Sequence, residues 1–178
     1  MRAEKLVFAL LVAMLIAFLA FVAMGAAPKQ PAALFAYGSN LAKSTMDARA
    51  GGYMNATAAQ LPGYSLSFAS QDARPTEFGV ATLLQNASGS VPGALYYLTQ
   101  EQLAVLDKQM GMPNFYERRE VTVALPGGST VIAQAYFLSG GTHSAAPSRP
   151  YYLSAQNGLA DWGYGNESIN AAMAAASN

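Results

Sequence analysis

The apolar positions divide the chain into two unlike parts. Leu6 to Met24 carries no charged or polar side chain, and Gly25-Ala26-Ala27 extends the run. Beyond Pro28-Lys29-Gln30-Pro31 the pattern breaks into short elements. Leu34-Phe35-Ala36-Tyr37 reads as a buried strand, Gly38-Ser39-Asn40 as a tight turn, and Leu41 to Arg49 as a helix. Ala56 to Leu61 and Tyr64 to Phe68 flank Pro62-Gly63; the second alternates as a strand does, and Pro-Gly marks the turn before it. Gly79 to Leu84 and Val91 to Leu98 read as strands on either side of a turn at Asn86–Ser90. Thr99 and Gln102 fit a capping box, and Leu103, Leu106 and Met110 form the buried stripe of the helix that follows. Gly111 ends that helix and Pro113 bars its continuation. Tyr116 to Leu125 alternates, Pro126-Gly127-Gly128 turns, and Thr130 to Leu138 returns as a strand. A Gly/Ser/Pro loop leads to Tyr151-Tyr152-Leu153, and a short helix over 167–176 finishes the chain. Strands that follow one another through short turns, with helices interspersed, predict an α+β fold with mostly antiparallel strands.

The first segment is long enough to cross a bilayer as a helix. Arg2 and Lys5 precede it, so the positive end stays inside and the domain emerges outside. A cleaved signal peptide has a shorter apolar region; Ala23-Met24-Gly25 and Gly25-Ala26-Ala27 are passable cleavage sites, although Pro28 sits badly after the second. The expected organisation is a signal-anchor or signal peptide over 1–27, a linker over 28–33 and one domain over 34–178. That places the domain outside the membrane, anchored through residues 6–27 or secreted if the segment is cleaved.

Composition removes several functions. The 178 residues contain no cysteine, which excludes disulfides and thiolate chemistry. A single histidine, His143, falls in a glycine-rich loop and reads as solvated; it is poor support for a metal site. Formal net charge is zero with no basic run, so nucleic-acid binding has no electrostatic basis. Asn-x-Ser/Thr sequons stand at Asn55, Asn86 and Asn166, compatible with export.

The turn at Tyr37-Gly38-Ser39-Asn40 is the best candidate for chemistry. Ser39 and Asn40 are both N-cap residues by type. A strand running straight into a helix start leaves backbone N–H groups that favour carboxylates and oxyanions. Gly38 lets a ligand approach the backbone closely.

Phe35-Ala-Tyr-Gly-Ser-Asn-Leu41 resembles the signature loop of the gamma-glutamylcyclotransferases. Phe78-Gly79-Val80-Ala81-Thr82-Leu83, Val91-Pro92-Gly93-Ala94-Leu95-Tyr96, Leu103 to Gly111, Tyr116 to Val123 and Ala146-Pro147-Ser148-Arg149-Pro150-Tyr151 resemble that family's later segments in order. The resemblance implies a small mixed fold built around a partly closed β-barrel with flanking helices. It implies a cyclisation in which the α-amine of a γ-glutamyl group attacks its own side-chain carbonyl, giving 5-oxoproline and a free amine or amino acid. No cofactor and no metal is implied. Phe35, Tyr37, Gly38, Ser39, Asn40, Tyr116 and Tyr151 fall at substrate-binding positions. The chemistry needs a general base for the ammonium, a folded substrate and donors for its oxyanion.

The resemblance also puts the family's basic glutamate at Met110. A thioether has no titratable form. Read without the family, Met110 extends the Leu103/Leu106 stripe. Three outcomes stay open: a non-catalytic binder of γ-glutamyl-type ligands, a replacement carboxylate among Glu77, Asp107, Glu117 and Glu120, or an introduced change at Met110.

Overall fold

In the computed structural model, residues 12–14 and 30–177 are described. The signal-anchor or signal-peptide expectation, and membrane association through residues 6–27, therefore fall outside the described residues except at 12–14. Among the described residues no helix is long and apolar enough to cross a membrane. The unit from Pro31 onward carries the fold.

Strand β1 (Ala32–Ala36) begins inside the stretch read as linker. A single 3-10 turn (Gly38–Leu41) follows, and helix α1 runs over Lys43–Ala50. Then come β2 (Asn55–Gln71), β3 (Val80–Leu98), α2 (Gln100–Gln109), β4 (Tyr116–Ala124), β5 (Thr130–Leu138), β6 (Thr142–Ser144), α3 (Arg149–Ala160) and α4 (Glu167–Ala176).

The strands hydrogen-bond in the order β3-β1-β5-β4-β2, and β2 pairs again with β3, so five strands close into a barrel. All pairings are antiparallel except β1 with β5, in register at Leu34 and Gln134. The fifth seam is narrow, with β2 meeting β4 only at Gln60 and Ala124. Strand β6 extends the sheet outside the ring, along β2. Apolar side chains are buried on both faces of the sheet, among them Leu34, Phe35, Leu61, Phe68, Val91 and Leu95, each at most 1% exposed. Closure leaves no barrel edge open at the centre of the fold.

Two expected turns are absent as turns. Pro62-Gly63 does not separate two strands; β2 runs straight through it, and the register with β3 slips between Pro62 and Tyr64. Opposite that slip, Asn86–Gly89 form the surplus of β3 rather than a connection, and the Asn86 side chain accepts from Ser88 N–H at 3.3 Å and Ser88 Oγ at 3.0 Å. Proline and glycine here make a bulge, which bends long strands round a small barrel. The supposed loop at His143 is the edge strand β6, where His143 Nδ1 lies 2.8 Å from Asp72 Oδ1. Tyr151-Tyr152-Leu153 belong to the first turn and a half of α3, capped by Ser148 with Pro150 at its start.

The expected helix caps split. Thr99 and Gln102 make both bonds of the capping box on α2. Ser39 and Asn40 cap nothing: Ala42 occupies the N-cap of α1, and the Lys43 N–H donates to Asp161 Oδ2 at 3.0 Å instead. The helix start is thus held from the far end of the chain. The Leu41 carbonyl likewise accepts from Tyr96 Oη and from Trp162 Nε1, each at 3.0 Å. Gly158 of α3 lets that helix lie against the turn, since a Cβ there would stand 2.8 Å from Ala42 N.

Candidate active site

The turn after β1 forms the floor of a cleft. Phe35, Tyr37, Ser39 and Asn40 line it from below, Ala81 of β3 and Tyr151 of α3 from one side, Met110, Tyr116 and Tyr136 from the other. The side chains expected to bind substrate, together with Met110, therefore border one space. Gly38 is part of its floor: its φ is +61°, and a Cβ there would meet Ala81 Cβ at 2.6 Å and Tyr151 Oη at 3.4 Å. The cleft widens outward past Ser39, Met110, Tyr116 and Tyr151 into a mouth bounded by Arg49, Gln109, Gly111 and Phe115. The inner end offers about 20 Å³, room for little more than one water, whereas the mouth offers about 360 Å³.

One residue fixes the two flanking phenols. The Ala81 N–H donates to Tyr151 Oη at 3.1 Å, and the Ala81 carbonyl accepts from Tyr116 Oη at 2.9 Å. Tyr37 Oη donates to the Tyr136 carbonyl, and Tyr136 Oη donates to Asp107 Oδ1 at 2.7 Å. Burial is the first cause that lifts the phenol pKa of Tyr37, Tyr116 and Tyr136 above its ordinary value; the neighbouring Tyr151 adds to it at the first two, and the bond to Asp107 at Tyr136. All three remain neutral donors at physiological pH.

These shifts predict the alkaline limit of the fold. A phenol whose pKa is higher in the folded chain supports folding at any pH below its unfolded value near 10, and that support is lost as pH rises above it. The urea midpoint should hold steady between pH 7 and 9 and fall steeply above pH 10. Equal midpoints at pH 8 and 11 would contradict this burial of phenols.

Met110 stands at the C-cap of α2, with Gly111 in the left-handed conformation (φ 66°) directly after it. Its Sδ accepts from Asn40 Nδ2 at 3.2 Å. Asn40 Oδ1 in turn accepts from Arg49 Nη1 at 2.5 Å, and the same nitrogen donates to Ser39 Oγ at 3.2 Å. Ser39 and Asn40 are 7% and 5% exposed, so their side chains need these partners.

None of the four carboxylates weighed as a replacement base lines the cleft. Asp107 sits behind Tyr136 and also pairs with Arg118 Nε at 3.1 Å. Glu117 pairs with Arg119 Nη2 on the outer face at 2.5 Å. Glu120 faces a separate groove with Pro62 and Tyr64, and Glu77 is exposed in the loop after β2.

Three contributors escaped the sequence reading. Arg49 was seen only as the end of a helix; a basic residue nine positions after Asn40 gave no sign that the chain folds back onto the turn. Tyr136 looked like one more strand aromatic. Ala81 acts through its backbone, to which side-chain type gives no clue.

Comparison with known proteins agrees with the architecture. Residues 34–156 match the family described as gamma-glutamyl cyclotransferase, AIG2-like. The gamma-glutamylcyclotransferases of Bos taurus and Homo sapiens are each 28% identical over 122 residues, 66% of this chain and 64% of theirs. The chain thus spans just under two thirds of the length of these relatives. A solved structure of a gamma-glutamyl cyclotransferase superimposes with a TM-score of 0.72 at 27% identity, covering 82% of this chain and 88% of that one. With a barrel of the same kind, and the Tyr37-Gly38-Ser39-Asn40 turn set against the end of α2, the chain belongs to the gamma-glutamyl cyclotransferase, AIG2-like family.

Proposed function

We propose that the cleft binds γ-glutamyl-type ligands and that γ-glutamyl cyclisation in this chain is impaired. One observation carries the reading: where the resemblance expects a basic glutamate, the wall presents the Met110 thioether, and no Asp or Glu lines the cleft. The first N–H groups of the 3-10 turn have no acceptor within it and suit a carboxylate or an oxyanion. What is missing is a group to take the proton from the attacking ammonium. The activity therefore depends on position 110, and restoring a carboxylate there should bring 5-oxoproline release from a γ-glutamyl dipeptide.

A second reading, a binding module with no chemistry at all, is favoured by the Asn40–Met110 contact, which puts a thioether where cyclisation needs a titratable group. Titration with γ-glutamyl-alanine and with 5-oxoproline separates the two from a purely structural domain: binding of neither at millimolar concentration, with no product released by Met110→Glu, would sink both.

The apolar run Leu6–Met24 behind Arg2 and Lys5 supports an extracytoplasmic placement, anchored or released by cleavage. Protease added to intact cells should digest the domain, or the domain should appear in the medium; full protection in intact cells with digestion after lysis would reverse the topology.

A further inference from the structure

We infer that the cleft has become a site for small carboxylates whose nitrogen carries no charge, so that 5-oxoproline binds in preference to the γ-glutamyl compounds from which it forms. The inference rests on the γ-glutamyl reading above and specifies the ligand of that cleft.

Charge is the first argument. Among the residues lining the cleft and its mouth, Arg49 is the single fixed charge, and its bonds there go to neutral oxygens, Ser39 Oγ at 3.2 Å and Asn40 Oδ1 at 2.5 Å. A glutamate at position 110 would bring the lining to zero; methionine leaves it at one positive charge. A γ-glutamyl group enters with an ammonium and a carboxylate at its reacting end. Its ammonium would be desolvated beside a guanidinium, against a thioether, with no anion to pair it. A lactam carboxylate such as 5-oxoproline brings one negative charge and no positive one.

The direction of the hydrogen bonds is the second. Asn40 Nδ2 points at Met110 Sδ, a weak acceptor, so a strong donor faces the cleft without a strong partner. Two backbone acceptors beside the cleft already take phenols: the Ala81 carbonyl takes the Tyr116 hydroxyl, and the Tyr136 carbonyl takes that of Tyr37. The lining therefore favours a ligand that mostly accepts. A carboxylate and a lactam carbonyl do that, and the ring methylenes suit Phe35 and the Met110 thioether.

Calorimetric titration of the full chain with L-5-oxoproline and with L-γ-glutamyl-L-alanine tests the assignment, alongside Arg49→Gln, Arg49→Lys and Met110→Glu. Binding of 5-oxoproline should be about tenfold tighter or more. Arg49→Gln should erase that advantage and Arg49→Lys should keep most of it, while Met110→Glu should narrow or reverse it. Equal or tighter binding of the dipeptide by the unmodified chain overturns the inference, as does a folded Arg49→Gln chain that keeps the preference. If Met110→Glu turns over the dipeptide while the unmodified chain shows no preference, the ligand assignment alone falls. If no variant binds either compound and Met110→Glu releases no product, the γ-glutamyl reading falls with it.

Discussion

Met110→Glu should raise 5-oxoproline release from γ-glutamyl-alanine by about 10²–10⁴-fold, the range a positioned general base contributes. Met and Glu share their chain as far as Cγ, so the new carboxyl carbon would stand about where Sδ now stands, 3.2 Å from Asn40 Nδ2. The Asn40 amide and the Arg49 guanidinium beyond it would hold the carboxylate ionised. The base would take a proton from the substrate ammonium. The freed amine would attack the γ-carbonyl carbon, forming the ring C–N bond; the amide C–N bond would break as the proton held by the base passes to the leaving nitrogen, and the ring nitrogen would give up its second hydrogen to water, leaving the neutral lactam. Phenols held neutral cannot substitute in the first step, because a protonated hydroxyl gives a hydrogen bond but does not remove a proton at neutral pH. Amino-acid release followed by chromatography reads the result directly. A folded Met110→Glu chain with no gain, at saturating dipeptide, would mean that the cleft does not place the γ-glutamyl group for cyclisation.

Gly38→Ala should cost about 2–5 kcal/mol of stability, the sum of a non-glycine residue in the left-handed region and an overpacked contact. The φ of +61° charges the first part, and a Cβ 2.6 Å from Ala81 Cβ charges the second. Neither side has slack. Ala81 is 3% exposed and bound through both its backbone groups, and the turn below is held at the Leu41 carbonyl by Tyr96 and Trp162. Ligand binding should be lost even where the variant folds, since relief requires Tyr151 or the turn to move. Urea unfolding gives the first effect and titration with 5-oxoproline the second. A loss of stability under about 1 kcal/mol would show that the turn relaxes freely.

The floor of the cleft was legible because its information is local. A short apolar strand, a glycine that must take positive φ and small polar residues leave marks within eight positions. The capping box on α2 was legible for the same reason, since Thr99 and Gln102 satisfy each other's backbone. What escaped depends on partners far along the chain. Ser39 and Asn40 looked like caps by type, yet Arg49 claims their side chains and Asp161 takes the helix start. Pro62-Gly63 signals a break to any local reading; the paired length of β2 and β3 turns it into a bulge. Met110 shows the limit most sharply. Periodicity placed it correctly on the apolar stripe, and no periodicity distinguishes a core methionine from one that walls a cleft.

Ala81 joins Tyr116 across 35 positions of sequence and Tyr151 across 70. Both closures must be made before the cleft has two walls, and long loops are slow to close. A chain still emerging from the ribosome, complete as far as the β4–β5 hairpin, could already hold much of its barrel and yet have only one side of its site. Binding competence therefore arrives only once α3 has emerged and docked, and a ligand can favour only a chain that already carries that helix.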